Sequence, residues 1–237
     1  MQTTIDYRPS YSMVTASLAP QERVQVEGGS MLGMTPGFSI ETSTKGGVIG
    51  SLKRSVLGGE SFFMNTYQAP VQGGQIMLAP ALPGDMTVRE LAGHTMIVQS
   101  GSYVASAEGI QVDTKWGGAK TFFGSEGLFM LKVSGTGTLV LSSYGAIHEI
   151  TLAPGQSFTV DTGHIVAFAD GMGFKVRAVG GLKSTLFSGE GLVVDLTGPG
   201  YLMLQTRSED SLLSWLMPRL SKNRGSGGGF SFGGSGD

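Results

Sequence analysis

The stretch FFGSEGLFMLKVSGTGTLVLSS, Phe122 to Ser143, decides the reading of this chain because it occurs in three versions. Its relatives are VLGGESFFMNTYQAPVQGGQIMLA, Val56 to Ala79, and LFSGEGLVVDLTGPGYLMLQT, Leu186 to Thr206. Each version places a carboxylate (Glu60, Glu126 or Glu190) in a glycine-rich turn, runs an apolar segment and meets glycine again. Each then closes with an apolar triplet: Ile76-Met77-Leu78, Leu139-Val140-Leu141 or Leu202-Met203-Leu204. Glycine turns between short apolar runs predict a β-hairpin in each copy, and the repetition predicts an internally repeated all-β architecture.

A second signal recurs upstream of the first. Val26-Glu27-Gly28-Gly29 is followed eight residues later by Gly37, Val98-Gln99-Ser100-Gly101 by Gly109, and Val160-Asp161-Thr162-Gly163 by Gly171. The step from Val26 to Val98 is longer than the step from Val98 to Val160, so the first unit carries insertions. The glycines are expected to supply the positive φ of hairpin turns, with Met31 to Met34, Tyr103 to Ser106 and Ile165 to Phe168 as the following strands. The two signals together delimit repeat units over residues 18–80, 90–143 and 152–206 of one β domain, 1–220. The extra length of the first unit falls in Thr44 to Ser55 and Tyr67 to Gly74, both rich in glycine or proline and read as loops.

At the chain's ends the signals change. Thr3 to Leu18 reads as an opening strand with Pro9 at an edge or bend. One helix is predicted over 209–217. Ser208 is its N-cap, and Glu209 and Asp210 suit the positive end of its dipole. Leu212, Leu213, Leu216 and Leu220 form the face expected to cover the sheet, and Pro218 disturbs the last turn. Residues 221–237 read as a flexible Gly/Ser-rich tail.

Composition narrows the function classes. Charged residues make up 14% of the chain, against about 25% in ordinary proteins. Leu128 to Leu131 and Ile165 to Phe168 are apolar on both faces and need cover on both sides. A β-sandwich whose outer face meets another subunit meets both demands, so a homo-oligomer is expected. The net charge of −2 offers no basic field for nucleic acid, and none is expected as a partner. The absence of cysteine removes disulfides, thiolate catalysis and Cys-based metal sites. With no basic-then-apolar leader and no apolar run near the roughly 18 residues of a membrane span, the expected compartment is the cytoplasm.

No residue constellation identifies a reaction. The segment Leu152 to Phe168 sounds like a cupin strand pair, but His94, His148 and His164 include no H-x-H pair, so no metal is expected. Asp161 and His164 lie close together without a G-x-S-x-G elbow, and the repeat equivalents of His164 are Ser30 and Ser102, which marks a turn position. Gly46 to Ser55 departs from the P-loop pattern. No catalytic residue and no cofactor is assigned.

Charge pairs are the remaining candidates. Lys53 and Arg54, Lys120, and Lys183 lie six or seven residues before Glu60, Glu126 and Glu190. The plain reading is exposed ion pairs of little energetic consequence. The sharper one sets them about a symmetry axis, where they fix subunit register or bind an anion. A small anionic ligand or lipid head group would then meet Lys45, Lys53 and Arg54 in the loops Thr44 to Ser55 and Tyr67 to Gly74. Trp116, Trp215, Phe62-Phe63 and Phe122-Phe123 are the large aromatics, expected in the core unless exposed as a partner surface.

Several segments carry a resemblance. They are Tyr7-Arg8-Pro9-Ser10, Leu52-Lys53-Arg54-Ser55 with Gly58 to Phe63, Ala79-Pro80-Ala81-Leu82-Pro83-Gly84-Asp85, Gln99 to Tyr103, Asp113 to Gly118 and Gly180 to Ser184. In this order, over residues 3–216, they resemble prokaryotic members of the family of altered inheritance of mitochondria protein twenty-four. The resemblance implies β-sandwich units close to the tryptophan RNA-binding attenuation protein and double-stranded β-helix folds, a trimer, and association with membrane organisation. It implies no catalytic residues. The expected function is a non-enzymatic oligomeric scaffold or interaction protein, with peripheral membrane contact as the resemblance implies.

Overall fold

A computed structural model describes residues 1–42, 55–57, 60–114, 129–178 and 192–222. The chain runs through β1 (Gln2–Asp6), β2 (Met13–Leu18), β3 (Arg23–Glu27), β4 (Met31–Met34) and β5 (Ser39–Thr42). A short pair follows, β6 (Ser55–Leu57) and β7 (Glu60–Phe62), then β8 (Met64–Gln68) and β9 (Gly74–Leu78). Next come β10 (Met86–Gln99), β11 (Tyr103–Ala107), β12 (Ile110–Asp113) and β13 (Met130–Ser142). The last strands are β14 (Ile147–Leu152), β15 (Ser157–Asp161), β16 (Ile165–Ala169), β17 (Gly173–Ala178), β18 (Leu192–Thr197) and β19 (Gly200–Gln205), before helix α1 (Glu209–Lys222). Among the described residues the protein is all-β with one C-terminal α-helix.

The antiparallel ladders recur. β2 and β4 flank β9, while β3 and β5 flank β8. β14 and β16 flank β19, while β15 and β17 flank β18. Between these groups the same plan is drawn with longer strands, because β10 and β13 pair along nearly their whole length while β11 and β12 join opposite halves of β13. The apolar triplets of the sequence are the strands flanked in the first of each pair of ladders. All three carry the same irregularity, a residue skipped at Leu32, Val104 and Val166. A β-bulge kept at one position fixes the equivalence of β4, β11 and β16 residue by residue.

Adjacent groups are joined edge to edge. β3 pairs with β11, and the C-terminal half of β10 pairs with β16. These two junctions merge most of the molecule into one sheet ordered β14-β19-β16-β10-β13-β11-β3-β8-β5. Three apolar clusters fill the groups. One centres on Val14, Ile76 and Leu78, one on Met96, Tyr103 and Leu139, and one on Ile165, Phe168 and Leu202. Strands at the junctions serve two clusters at once: Tyr103 faces one and Val104 another, and Val166 and Phe168 do the same. The two-sided apolar run Ile165 to Phe168 is thus covered inside the chain, whereas the sequence reading sought that cover in another subunit.

Four local expectations are corrected. The glycine segment at Ser134 to Thr138 does not reverse the chain: β13 runs straight through it, with Gly135 and Gly137 at φ 121° and 137°. A Cβ on Gly135 would stand 2.2 Å from the carbonyl oxygen of Gly109, so glycine here permits a positive φ and a close backbone approach. In the other two copies β8 and β9, and β18 and β19, join different ladders instead of pairing as hairpins. The valine turns of the second and third copies are short 3-10 corners, Ser100–Ser102 and Thr162–His164, that carry the chain from one ladder to another. Residues Thr3 to Leu18 form two paired strands with Pro9 in the turn between them, and Tyr67, read as the start of a loop, is a core residue of β8.

Helix α1 begins as its cap predicts: the Ser211 N–H donates to Ser208 Oγ at 3.3 Å. It continues through Pro218 to Lys222, further than the proline allowed in the sequence reading. Leu212 and Leu216 are half-buried while Leu213 and Leu220 are exposed, so only a narrow stripe of the expected face is covered. The exposed Trp215 carries the Arg219 guanidinium over its ring at 4.3 Å, and Arg219 Nη1 donates to the Trp215 carbonyl. No helix among the described residues is long and apolar enough to cross a membrane.

Candidate functional site

The residue after each repeated valine has a defined task. Glu27 accepts from the Ser30 hydroxyl at 3.2 Å, Gln99 from the Ser102 hydroxyl at 3.2 Å, and Asp161 from the Gly163 N–H at 2.9 Å. Each bonds into the turn that follows it, and Asp161 caps its corner by accepting from a backbone N–H. His164 takes the place of Ser30 and Ser102, and its Nδ1 donates to the Gln205 carbonyl at 2.7 Å. Asp161 and His164 therefore hold backbone, each at its own partner. Gln205 completes the corner by donating from Nε2 to the Gly163 carbonyl at 2.9 Å. Among the described residues no group of three or more His, Asp or Glu is placed to hold a metal ion.

The densest polar contact lies where the first and second groups meet. Arg8 grips the buried Asp85 with two bonds, Nε to Oδ1 at 2.7 Å and Nη2 to Oδ2 at 2.9 Å. The Met86 N–H and the Ser12 hydroxyl donate to the same Oδ1, at 2.8 and 3.2 Å. Burial pushes the Asp85 carboxyl up, but Arg8, the Met86 N–H and Ser12 outweigh it and hold the group below the usual range. The backbone around Asp85 is also tied to the end of the second group and the connection that follows it: its N–H donates to the Gly145 carbonyl at 2.8 Å, and the Ser143 N–H donates to its carbonyl at 3.0 Å. Arg8 and Asp85 belong to two of the segments that carry the family resemblance, which gives those segments a shared structural task.

Further ion pairs join one group to the next, except Arg23 to Glu41, which stays within the first. Arg23 reaches Glu41 at 2.7 Å and Glu108 at 3.5 Å, Arg89 meets Glu149, and Lys132 meets Asp170 at 3.3 Å. The sequence reading passed over all of them, because their partners are far apart in the chain and no local spacing joins them. On the outer face of the last ladder, Arg177 and the Thr159 hydroxyl bond Asp195 and draw its carboxyl down to about 2.

The candidate charges fall together in topology. Lys53, Arg54 and Glu60 lie in the connection from β5 to β8, Lys120 and Glu126 in that from β12 to β13, and Lys183 and Glu190 in that from β17 to β18. Glu60 opens β7, paired with Leu57. The other six candidates, with Lys45, Trp116 and Phe122-Phe123, lie outside the described residues. Phe62 is buried, edge-on to Tyr103 and Phe129 with ring centroids 5.6 and 6.1 Å away, whereas Phe63 and Trp215 are exposed.

Two sheet edges stand apart from this internal bonding. Among the described residues β4 pairs only with β9, and β15 only with β18, although their counterparts in the other groups pair on both sides. Leu32 on β4 is 61% exposed, while its equivalents Val104 and Val166 are each 0%. Phe158 on β15 is 40% exposed, while its equivalents Val24 and Met96 are each 0%. The same apolar positions are buried wherever a neighbouring group is present and open where none is.

Comparison with known proteins fits this architecture. The sequence model of the family described as Mitochondrial biogenesis AIM24 matches residues 3–207. The chain belongs to the AIM24 family. An uncharacterized protein of Streptococcus pyogenes serotype M6 is 30% identical over 215 residues, spanning 87% of this chain and 86% of its own length. A crystal structure of a Streptococcus pyogenes protein from a structural genomics consortium superimposes with a TM-score of 0.76 at 26% identity, covering 92% of this chain and 99% of its own. The AIM24 match begins just before the Arg8 clasp and ends after β19, so it includes all three groups of strands.

Proposed function

We propose that this AIM24 protein is a non-enzymatic interaction protein that assembles from copies of itself in the cytoplasm, a trimer being the assembly the resemblance implied. One observation carries the reading. Apolar residues at the two ends of the repeat, Leu32 and Phe158, are exposed at positions whose equivalents are sealed inside the same chain. An uncharged, unpaired strand edge promotes association, and natural proteins protect such edges unless association is their purpose. The polar groups support the same reading: Asp161 and His164 are bonded to backbone, Asp85 to backbone and to Arg8 of the first group, and Glu27 and Gln99 to the serine hydroxyls of their own turns. Peripheral contact with a membrane belongs to this proposal as a further partner of the assembled protein.

Sedimentation velocity over a dilution series tests the assembly. One oligomeric boundary that persists on dilution supports the proposal, and a monomer at every concentration refutes it. Co-sedimentation of the oligomer with vesicles containing anionic lipid tests the membrane contact; protein left wholly in the supernatant removes that part.

A further inference from the structure

The two internal junctions have one register. At the first, β3 meets β11 with Val26 opposite Ala105, Gln25 opposite Ser106 and Val24 opposite Ala107. At the second, β10 meets β16 with Val98 opposite Ala167, Ile97 opposite Phe168 and Met96 opposite Ala169. Moving the first set along by one repeat, from Val26 to Val98 on one strand and from Ala105 to Ala167 on the other, reproduces the second. Both junctions are antiparallel, and both lie beside the bulge residue that β4, β11 and β16 share.

Applying the same step once more takes the chain off its own end. The strand that should meet the next group is β15, and the strand that should receive a preceding group is β4. Neither edge is paired with another group among the described residues. We infer that β15 of one copy pairs antiparallel with β4 of the next, Val160 opposite Gly33, Thr159 opposite Met34 and Phe158 opposite Thr35. The junction built twice within the chain is then built again between chains. This inference rests on the oligomeric reading above and names the surface that makes it.

Chemistry at the edges fits a second copy. The other edge strands of the three larger sheets carry charge: Asp6 on β1, Glu41 on β5, Asp113 on β12, Glu149 on β14, and Lys175 and Arg177 on β17. β4, Met31-Leu32-Gly33-Met34, has none, and the single charge of β15, Asp161, is turned onto the Gly163 N–H. Gly33 and Thr35 are small, as are Ala105, Ala107, Ala167 and Ala169 at the equivalent positions, which leaves room for the larger Val160 and Phe158 opposite. Such a contact is heterologous, with different surfaces on the two partners, so it closes a ring when the rotation between copies allows. In the proposed trimer three such junctions close it.

The absence of native cysteine makes the test direct. Two differently tagged chains are co-expressed, one carrying Met34→Cys and the other Thr159→Cys; a second pair carries Thr35→Cys and Phe158→Cys. Facing pairs in an antiparallel ladder alternate between close and wide spacing, so one of these neighbouring pairs suits a disulfide. After mild oxidation the expected result is a disulfide joining the two tags in one of the pairs, none when either variant is expressed alone, and a closed covalent oligomer from the corresponding double variant. Native mass spectrometry of the same samples separates the two levels of the claim. An oligomer in which neither pair cross-links overturns the edge assignment and leaves the oligomeric reading standing, as does a Met34→Cys chain that cross-links chiefly to itself. A monomer overturns both. Phe158→Lys, outside every internal junction, is expected to abolish the oligomer at unchanged far-ultraviolet circular dichroism; an intact oligomer would also overturn the assignment.

Discussion

Replacing Asp85 with Asn keeps its shape and removes its charge, and the geometry fixes what this should cost. Oδ1 still accepts from the Met86 N–H and Ser12, but the new amide nitrogen would face Arg8 Nη2, donor against donor, where a 2.9 Å bond stood. A hydrogen bond to a charged group contributes about 1.5 to 3 kcal/mol. The half-exposed Arg8 recovers water on release, which holds the loss to about 2 kcal/mol. For a chain of this size that is a fall in melting temperature of about 4 to 8 °C. Thermal unfolding at fixed protein concentration measures it, and a cycle with Arg8→Met should show coupling of about 1 kcal/mol. The folded Asp85 carboxyl lies below its unfolded value, so its contribution is complete above about pH 4 and is lost as pH falls through the folded value. Wild type and variant should therefore converge in stability in acid. A variant whose melting temperature matches that of wild type, or a difference that grows in acid, would refute the clasp.

Other consequences are independent of that one. Gly84→Ala would place a Cβ 1.7 Å from the Ser143 carbonyl oxygen, forcing the Gly84 to Gly145 bridge open; calorimetry should show a loss of about 2 to 3 kcal/mol. Ser208→Ala removes the α1 cap and should cost about 1 kcal/mol, read as faster amide exchange at Ser211 with the strands unaffected. Carbon-detected titration should find the Asp195 carboxyl ionising at about 2, and Arg177→Met should move it upward; no movement would show that Arg177 does not set it.

Local composition made part of this structure legible. The apolar triplets ending at Leu78, Leu141 and Leu204 mark strands that lie in equivalent ladders, because a strand buried by its neighbours must be apolar in each group. The Ser208 cap was equally plain, since a cap is set by adjacent residues. Connectivity was less accessible. The glycines at Gly135 and Gly137 look like a turn in one dimension, but they serve a straight strand whose backbone is crowded by Gly109, a contact set by a residue distant in the chain. The clasp of Arg8 and Asp85 spans 77 residues and obeys no spacing rule. The two-sided apolar run at Ile165 was correctly read as needing cover, while its source, the neighbouring group through β10, could be found only by pairing strands. That pairing also exposes what the sequence reading could not separate: Leu32 and Val104 look alike as residues, but one is open and the other sealed.

The central claim is that the junction between groups continues from one copy to the next. Native mass spectrometry of the full chain, released gently from its own cells, tests it most directly. The account predicts a closed oligomer, at three times the 24.7 kDa chain mass for the proposed trimer, that falls to single chains with Phe158→Lys. A wild-type protein that flies as a 24.7 kDa monomer would contradict it.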